Sequence, residues 1–261
     1  MTLKECYDEV AKITIVNEEP FTVVECVDHH RKYWRPKRVH TILLAESHVF
    51  TDRNECAPMK PRAPIHLQGA ATEDTSQFVR LIYCLGYGEN EYAGFERKKK
   101  NPGTWQFWKI FSSCVAQPSE ESFARILKGG NRSYENRLTR KIELLHQLKE
   151  KGVWLVDASV VALYRPGGHK PSLKIREKII ECCWDNYIGD QIASADPHSI
   201  IVIGAGVKKA LSSRLARLSQ LGVEAYEVPQ PQKHMSNSEI AGTHQLYFDV
   251  CQRAMKSRTT G

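Results

Sequence analysis

The stretch "TILLAESHVF" (residues 41–50) joins an apolar run to three side chains that are capable of proton chemistry. The run from Thr41 to Ala45 carries no charge and predicts a short buried strand. Glu46, Ser47 and His48 follow directly, at the point where this strand ends. Because ligand sites in open α/β sheets lie beyond the carboxyl ends of the strands, we expect Glu46 and His48 to border a site.

Three further apolar runs predict strands, and amphipathic stretches between them predict helices. The strand runs are "VWLVDASVVALY" (153–164), "SIIVIGAG" (199–206) and the start of "VEAYEVPQPQKHMSNS" (223–238). This alternation, with strands apolar on both faces, predicts a three-layer α/β/α sandwich with a central, mainly parallel sheet of about four strands. We expect a single domain over residues 1–261, with residues 1–38 as an N-terminal arm or extension and short strands or an extended arm over 13–27.

The composition is that of an ordinary globular protein, with 41% hydrophobic and 26% charged residues. No apolar run approaches the roughly 20 residues that span a bilayer, and the first residues lack the pattern of a signal peptide. The eight cysteines are scattered without a C-x-x-C motif, so we expect reduced thiols rather than disulfides or a metal centre. We therefore expect a cytoplasmic protein without metal, cofactor or membrane contact.

Positive charge is concentrated in two segments that also contain aromatic residues, "HHRKYWRPKRVH" (29–40) and "ERKKKNPGTWQFWK" (96–109). Clustered cations attract phosphates, and interleaved rings stack on exposed bases, so the two segments favour binding to nucleic acid. A solvated charged surface is the alternative. The predicted phosphate contacts are Arg31, Lys32, Arg35, Lys37, Arg38, Lys98 and Lys99.

Three other motifs give only weak indications of function. "GAGVKK" (204–209) resembles a dinucleotide fingerprint, but Lys209 occupies the place of the third glycine, and a tight strand-to-helix turn is the better interpretation. Glu46 and His48 could be metal ligands, but no H-E-x-x-H motif accompanies them. Cys56 and His66 have the residue types of a cysteine hydrolase, but nothing around them supports that chemistry.

Taken in order, "LLAESH", "VWLVDASVVALY", "IIVIGAGVKKAL" and "VPQPQKHMS" resemble the motifs of the uracil-DNA glycosylase superfamily over about residues 39–238. The matching superfamily motifs are G-Q-D-P-Y-H or G-E-A-P-G after the first strand, L-L-L-N, a G-x-x-A turn, and a late H-P-S-P loop. The resemblance implies a monofunctional DNA glycosylase, which flips a base out of the helix and hydrolyses its bond to the sugar.

Carried over to this chain, Glu46 matches the carboxylate that positions or activates the hydrolytic water. Breaking a base–sugar bond builds positive charge on the sugar, and a neighbouring carboxylate stabilises that charge. A glutamate that caps the next helix is the alternative. His48 falls where one family has a tyrosine that shapes the base pocket, and Phe50 and Met59 are candidates to stack on the flipped base.

Asp157 stands where the superfamily has an asparagine that reads uracil. An ionised aspartate only accepts hydrogen bonds, which suits the amino group of cytosine, although a protonated one could still read uracil. The resemblance then favours a modified cytosine, hydroxymethylated or glucosylated, in phage DNA, because the superfamily includes defence enzymes of that type.

The late loop also departs from the superfamily, since Val228 or Gln230 occupies the position of its histidine. His234 is then the candidate to assist the leaving base, Met235 the wedge into the duplex, and Lys233 a phosphate contact.

The sequence therefore predicts a glycosylase that acts on double- or single-stranded DNA as a monomer, with no obligate protein partner. Two alternatives remain, a repair glycosylase for uracil or hypoxanthine and a catalytically inactive DNA-binding module of the same fold. A small-molecule hydrolase is disfavoured by the basic segments.

Overall fold

The computed structural model describes residues 1–13, 19–48, 50, 105–117, 119–127, 130–164, 171–230 and 237–256. Within these ranges the strands are β1 (Thr41–Ala45), β2 (Val153–Asp157), β3 (Ser199–Ile203) and β4 (Glu224–Val228). The helices are α1 (Leu3–Ile13), α2 (Phe21–Tyr33), α3 (Trp105–Val115), α4 (Glu120–Ala124), α5 (Tyr134–Glu150), α6 (Leu173–Cys183), α7 (Gly189–Ala193), α8 (Ala205–Gln220) and α9 (Asn237–Lys256), and a π-helical turn (Trp184–Ile188) joins α6 to α7.

The chain divides into two compact units. The first contains Met1–Cys56, Gly152–Gln230 and Arg253–Gly261, and the second contains Ala57–Lys151 and Pro231–Gln252. The whole sheet belongs to the first unit. The expectation of a single domain over the whole chain stays a prediction.

The sheet has four parallel strands in the order β2-β1-β3-β4. In register, Thr41 of β1 lies between Val153 of β2 and Ser199 of β3, and Ser199 pairs in turn with Glu224 of β4. Every residue of β1 and β3 is buried, as expected for interior strands of a parallel sheet covered by helices. The predicted fold class, an α/β/α arrangement around a parallel sheet of about four strands, is confirmed.

Alternate residues of the strands separate the two faces of the sheet. One face contributes Ile42, Leu44, Trp154, Val156, Ile200 and Val202 to a core that also contains apolar side chains of α1, α6 and α8. On the other face, the Thr41 and Ser199 hydroxyls are 2.9 Å apart, and Ser199 Oγ donates to the carbonyl of Ala254 in the last turn of α9 at 3.2 Å. Helices of the first unit therefore cover both faces.

The residues before β1 form helices rather than the expected strands or extended arm. The described part of that segment, from Phe21 onward, is helical, so the expectation is wrong there. Cys6 and Val10 of α1 are fully buried in the core, and Val24 of α2 lies in the same core. The valines of this segment favour a strand, but burial against the sheet overrides this weak preference.

The second unit contains a buried histidine between aromatic rings. The ring of His244 on α9 lies 5.1 Å from that of Phe123 and 5.7 Å from that of Tyr247. Burial, with a smaller contribution from the charge of Lys109, lowers the pKa of His244 to about 4. In the same unit, Ser119 is the N-cap of α4, since its Oγ accepts from the Ser122 amide at 3.0 Å.

We expect Leu44→Ala to lower the free energy of unfolding by roughly 2–5 kcal/mol, because Leu44 is fully buried in the core and the truncation leaves a cavity. The matched control is Leu221→Ala, which removes the same atoms from a side chain that is 79% exposed and should change stability by about 0.5 kcal/mol or less. Urea unfolding followed by circular dichroism measures both values. Equal losses for the two variants would contradict the assigned core.

We expect His244 to make stability depend on pH. Its folded pKa of about 4 lies below the ordinary 6.5, so between these values the unfolded chain binds a proton that the folded chain does not. The contribution is fully present above pH 6.5 and is lost as pH falls through 4. His244→Phe should therefore flatten the fall in melting temperature over this range, whereas His29→Phe, at an exposed position, should not.

Candidate active site

The strand order places a topological switch point between β1 and β3. The chain leaves β1 toward β2 on one side, and β3 lies on the other side, so a crevice opens beyond the carboxyl ends of β1 and β3. Glu46 directly follows β1, and Gly204 directly follows β3. A Cβ atom on Gly206, in the first turn of α8, would lie 3.8 Å from Glu46 Oε1. Glu46 therefore lies in this crevice, beside the N-terminus of α8.

The predicted strand-to-helix turn at "GAGVKK" is confirmed, because β3 ends at Ile203 and α8 begins at Ala205. Gly204 between them has φ of +98°, a conformation that side chains with a Cβ rarely adopt. Its amide donates to the Val228 carbonyl at 2.8 Å. The glycine thus allows the chain to reverse tightly and brings the start of α8 close to Glu46.

The Glu46 carboxylate is 10% exposed and is held by two donors. Its Oε1 accepts a hydrogen bond from Arg176 Nη1 at 3.0 Å, and its Oε2 accepts one from the Tyr164 hydroxyl. Arg176 Nη1 also donates to the Tyr164 hydroxyl oxygen at 2.7 Å, which closes a triangle of three side chains. A carboxylate offers about four lone-pair positions, so Glu46 retains acceptor capacity for a water or a substrate.

Tyr164 remains a proton donor at neutral pH. Burial, and then its hydrogen bond to Glu46, raise the pKa of Tyr164 to about 12. The guanidinium carbon of Arg176 lies 5.6 Å from the centroid of the Tyr164 ring. Tyr164 as a whole is 37% exposed. The hydroxyl is therefore fixed beside Glu46 while part of the ring faces solvent.

The segment after β2 is bound to the segment after β1 by backbone hydrogen bonds. The Ser159 amide donates to the Glu46 carbonyl at 3.1 Å, and the Leu163 amide donates to Ser47 Oγ at 3.2 Å. These bonds extend the parallel pairing of the two strands beyond their ends. They fix the backbone on either side of the contact between Tyr164 and Glu46.

His48 is buried and braces these segments. Its Nε2 lies 2.9 Å from Oε1 of the fully buried Glu19, whose Oε2 accepts from the Ala162 amide at 2.8 Å. His48 Nδ1 is also buried and has no hydrogen-bond partner among the described residues. His48 therefore has a structural partner in Glu19, and its predicted role in the base pocket stays a prediction.

Asp157 is likewise engaged in a buried ion pair. Its Oδ2 accepts from Arg31 Nη2 at 3.0 Å, and Arg31 Nη1 also donates to Asp28 at 3.1 Å. The side chains of Arg31 and Asp157 are 7% and 13% exposed. Arg31 and Asp157 thus have structural partners in each other. The predicted roles of Arg31 as a phosphate contact and of Asp157 as a base reader stay predictions.

The remaining cations of the basic segment at 29–40 do not border the crevice. Residues 34–40 immediately precede β1 and so lie at its amino end, about 17 Å from Glu46 for five residues at about 3.3 Å each. Lys37 and Arg38 are exposed at that opposite edge, and their role as DNA contacts stays a prediction. Lys32 is paired with Asp28 at 2.8 Å, and Arg35 donates to the Ser194 carbonyl at 3.2 Å.

Six of the predicted site residues lie outside the described part of the chain: Met59, Lys98, Lys99, Lys233, His234 and Met235. Phe50 is described and half-buried, four residues beyond Glu46, and its stacking role stays a prediction.

Sequence reasoning missed Tyr164 and Arg176. Tyr164 closes the run "VWLVDASVVALY", which was read as one strand, whereas the strand ends at Asp157. The length of the run was the available signal, because strands usually have about five or six residues and the rest of the run must extend beyond the carboxyl edge. Arg176 gave no comparable signal, since one cation in an amphipathic helix is ordinary.

No protein-family model, curated protein or solved structure matches the chain significantly. The resemblance to uracil-DNA glycosylases therefore stays a prediction. Among the described residues, no group of three or more His, Cys, Asp or Glu side chains is placed to hold a metal ion. Over the same residues, no helix combines the length and the apolar character that a membrane span requires.

We expect Arg31→Ala to lower the free energy of unfolding by about 3 kcal/mol, because it leaves the Asp157 carboxylate without its guanidinium partner, while Asp28 keeps its contact with Lys32. Lys37→Ala, at an exposed position, should be nearly neutral. Urea unfolding at pH 7 measures both variants. If Arg31→Ala unfolded like the wild type but lost affinity for DNA, Arg31 would instead be a phosphate contact.

Proposed function

We propose that the protein hydrolyses the N-glycosidic bond of a nucleotide in DNA, with Glu46 as the catalytic carboxylate. The observation that carries this proposal is the place of Glu46. It is a nearly buried carboxylate at the switch point of a parallel sheet, oriented by Arg176 and Tyr164. The resemblance of the surrounding motifs to uracil-DNA glycosylases supports the same chemistry.

In the proposed reaction, the bond between C1′ of the sugar and the base nitrogen breaks, and the base leaves with the bonding electrons. Positive charge then develops on the sugar, where a carboxylate stabilises it. A water bound to a free lone pair of Glu46 adds its oxygen to C1′, and its proton passes to Glu46 or to the departing base. The products are the free base and an abasic site.

The base remains the open part of the proposal. The residue argument for cytosine depended on Asp157, which is bound to Arg31. The resemblance alone now supports a hydroxymethylated or glucosylated cytosine in phage DNA as the excised base. Uracil and hypoxanthine are therefore tested beside it on equal terms.

A DNA-binding module without catalytic activity is the second candidate. It is favoured by one observation, the ion pair between Glu46 and Arg176. An arginine 3.0 Å away offsets the negative charge that would stabilise a cationic sugar.

The test uses end-labelled oligonucleotides that carry uracil, hypoxanthine, cytosine, hydroxymethylcytosine or glucosylated hydroxymethylcytosine. After incubation with protein, hot alkali cleaves the strand at abasic sites. We expect cleavage of at least one modified or damaged base, and we expect Glu46→Gln to lower the rate by about 100-fold or more. Glu224→Gln, which changes a carboxylate at the amino edge of the sheet, should leave the rate unchanged.

Cleavage of uracil or hypoxanthine alone would retain the enzyme and reject the modified cytosine. Cleavage that persists in Glu46→Gln would show that another group performs the chemistry. Binding to the oligonucleotides without cleavage of any of them would favour the inactive binding module.

A further inference from the structure

Two exposed apolar side chains belong to the segments that hold Glu46, namely Tyr164 after β2 and Leu173 on α6. The large apolar residues that are well exposed in the described chain are Met1, Tyr164, Leu173, Ile175, Leu221 and Leu246. Tyr164 contacts Glu46 directly, and Leu173, 47% exposed, lies one turn before Arg176 on the same side of α6. Exposed apolar groups beside a buried carboxylate contribute little to folding and often mark a binding surface.

The Tyr164 ring is held rigidly although part of it faces solvent. Its hydroxyl donates to Glu46 and accepts from Arg176, and the backbone before it is bound to Ser47 through Leu163. The Arg176 guanidinium lies over the ring. A ring that is already ordered loses little further freedom when a ligand packs on it, so its contacts are available for binding.

The chemistry of such a surface selects flat, aromatic ligands. A fixed phenol ring offers a π-face for stacking, and every nucleobase has a matching face. Because the hydroxyl of the same ring is bonded to the carboxylate, a base stacked on Tyr164 lies next to Glu46.

We infer that Tyr164 contacts the substrate and that its ring is the platform on which the scissile nucleobase stacks. Arg176 is the positioning residue that holds both this ring and Glu46. The inference rests on the proposed function for the identity of the ligand. It assigns the stacking role to a residue of the segment after β2, in addition to the sequence candidates Phe50 and Met59.

The experiment measures how much the base contributes to binding. Fluorescence anisotropy gives the Kd of oligonucleotides that contain, at one position, either a base on a 2′-fluorinated sugar or a tetrahydrofuran abasic residue. The fluorine slows hydrolysis of the glycosidic bond, so binding is measured without turnover. The bases are uracil, hypoxanthine, cytosine and hydroxymethylcytosine, and the readout is the ratio of the abasic Kd to the base-containing Kd.

For the wild type we expect a ratio of about 10 or more for at least one base, within the range that stacking on a single ring provides. Tyr164→Leu, which keeps an apolar side chain but loses the ring, should bring the ratio close to one. Tyr164→Phe keeps the ring without the hydroxyl that fixes it, and it should keep a ratio above that of Tyr164→Leu. Tyr226→Leu is the matched control, because Tyr226 is also half-buried and also donates its hydroxyl to a glutamate, Glu224.

A ratio in Tyr164→Leu equal to that of the wild type would overturn the inference, as would the absence of binding to every oligonucleotide. Equal ratios in Tyr164→Phe and Tyr164→Leu would also overturn it, because the ring itself would then contribute nothing to binding of the base. The proposed function fails separately. The wild type could show the base-dependent ratio, and Tyr164→Leu could lose it, while no oligonucleotide is cleaved. That result would support the stacking platform and reject the proposed hydrolysis.

Discussion

The contact between Glu46, Arg176 and Tyr164 depends on a constraint that the sheet imposes. A carboxylate at the end of a buried interior strand loses water, and it is tolerated only where donors replace that water. Arg176 on α6 and Tyr164 after β2 supply these donors from two different elements. The packing of α6 and the course of the segment after β2 are therefore both tied to one side chain. A site of this kind is built into the fold rather than added on a mobile loop.

The same edge of the sheet contains a second carboxylate paired with an arginine, and the comparison separates a structural role from a chemical one. Asp157 follows β2 as Glu46 follows β1, but its partner Arg31 is almost fully buried and is shared with Asp28. The two carboxylates themselves are similarly buried, at 13% exposed for Asp157 and 10% for Glu46. Tyr164, which contacts Glu46, is well exposed. The exposure of this neighbouring group, and not the ion pair, distinguishes Glu46 from Asp157 as the proposed catalytic carboxylate.

The sequence was sufficient to predict the strands and the position of Glu46 at a strand end, because apolar runs and strand ends are local signals. The pairing of Arg31 with Asp157 spans 126 residues and leaves no local signal, so the residue types alone suggested a phosphate contact and a base reader. The position of Lys37 and Arg38 was available from chain order, since residues that enter β1 must lie opposite its carboxyl end. Composition alone does not indicate at which edge of the sheet these cations lie, whereas chain order does.

One hydroxyl joins catalysis and binding in the proposed site. Tyr164 donates to the carboxylate through its oxygen and presents its ring to solvent, so its orientation sets both the direction of Glu46 and the plane of the platform. Groups that share a hydrogen bond respond together when either is changed, and their effects do not add. Removing the Glu46 carboxylate releases the ring, and removing the ring leaves the carboxylate with Arg176 alone. The geometry of the platform and the chemistry of the carboxylate are in this sense a single property of the carboxyl edge.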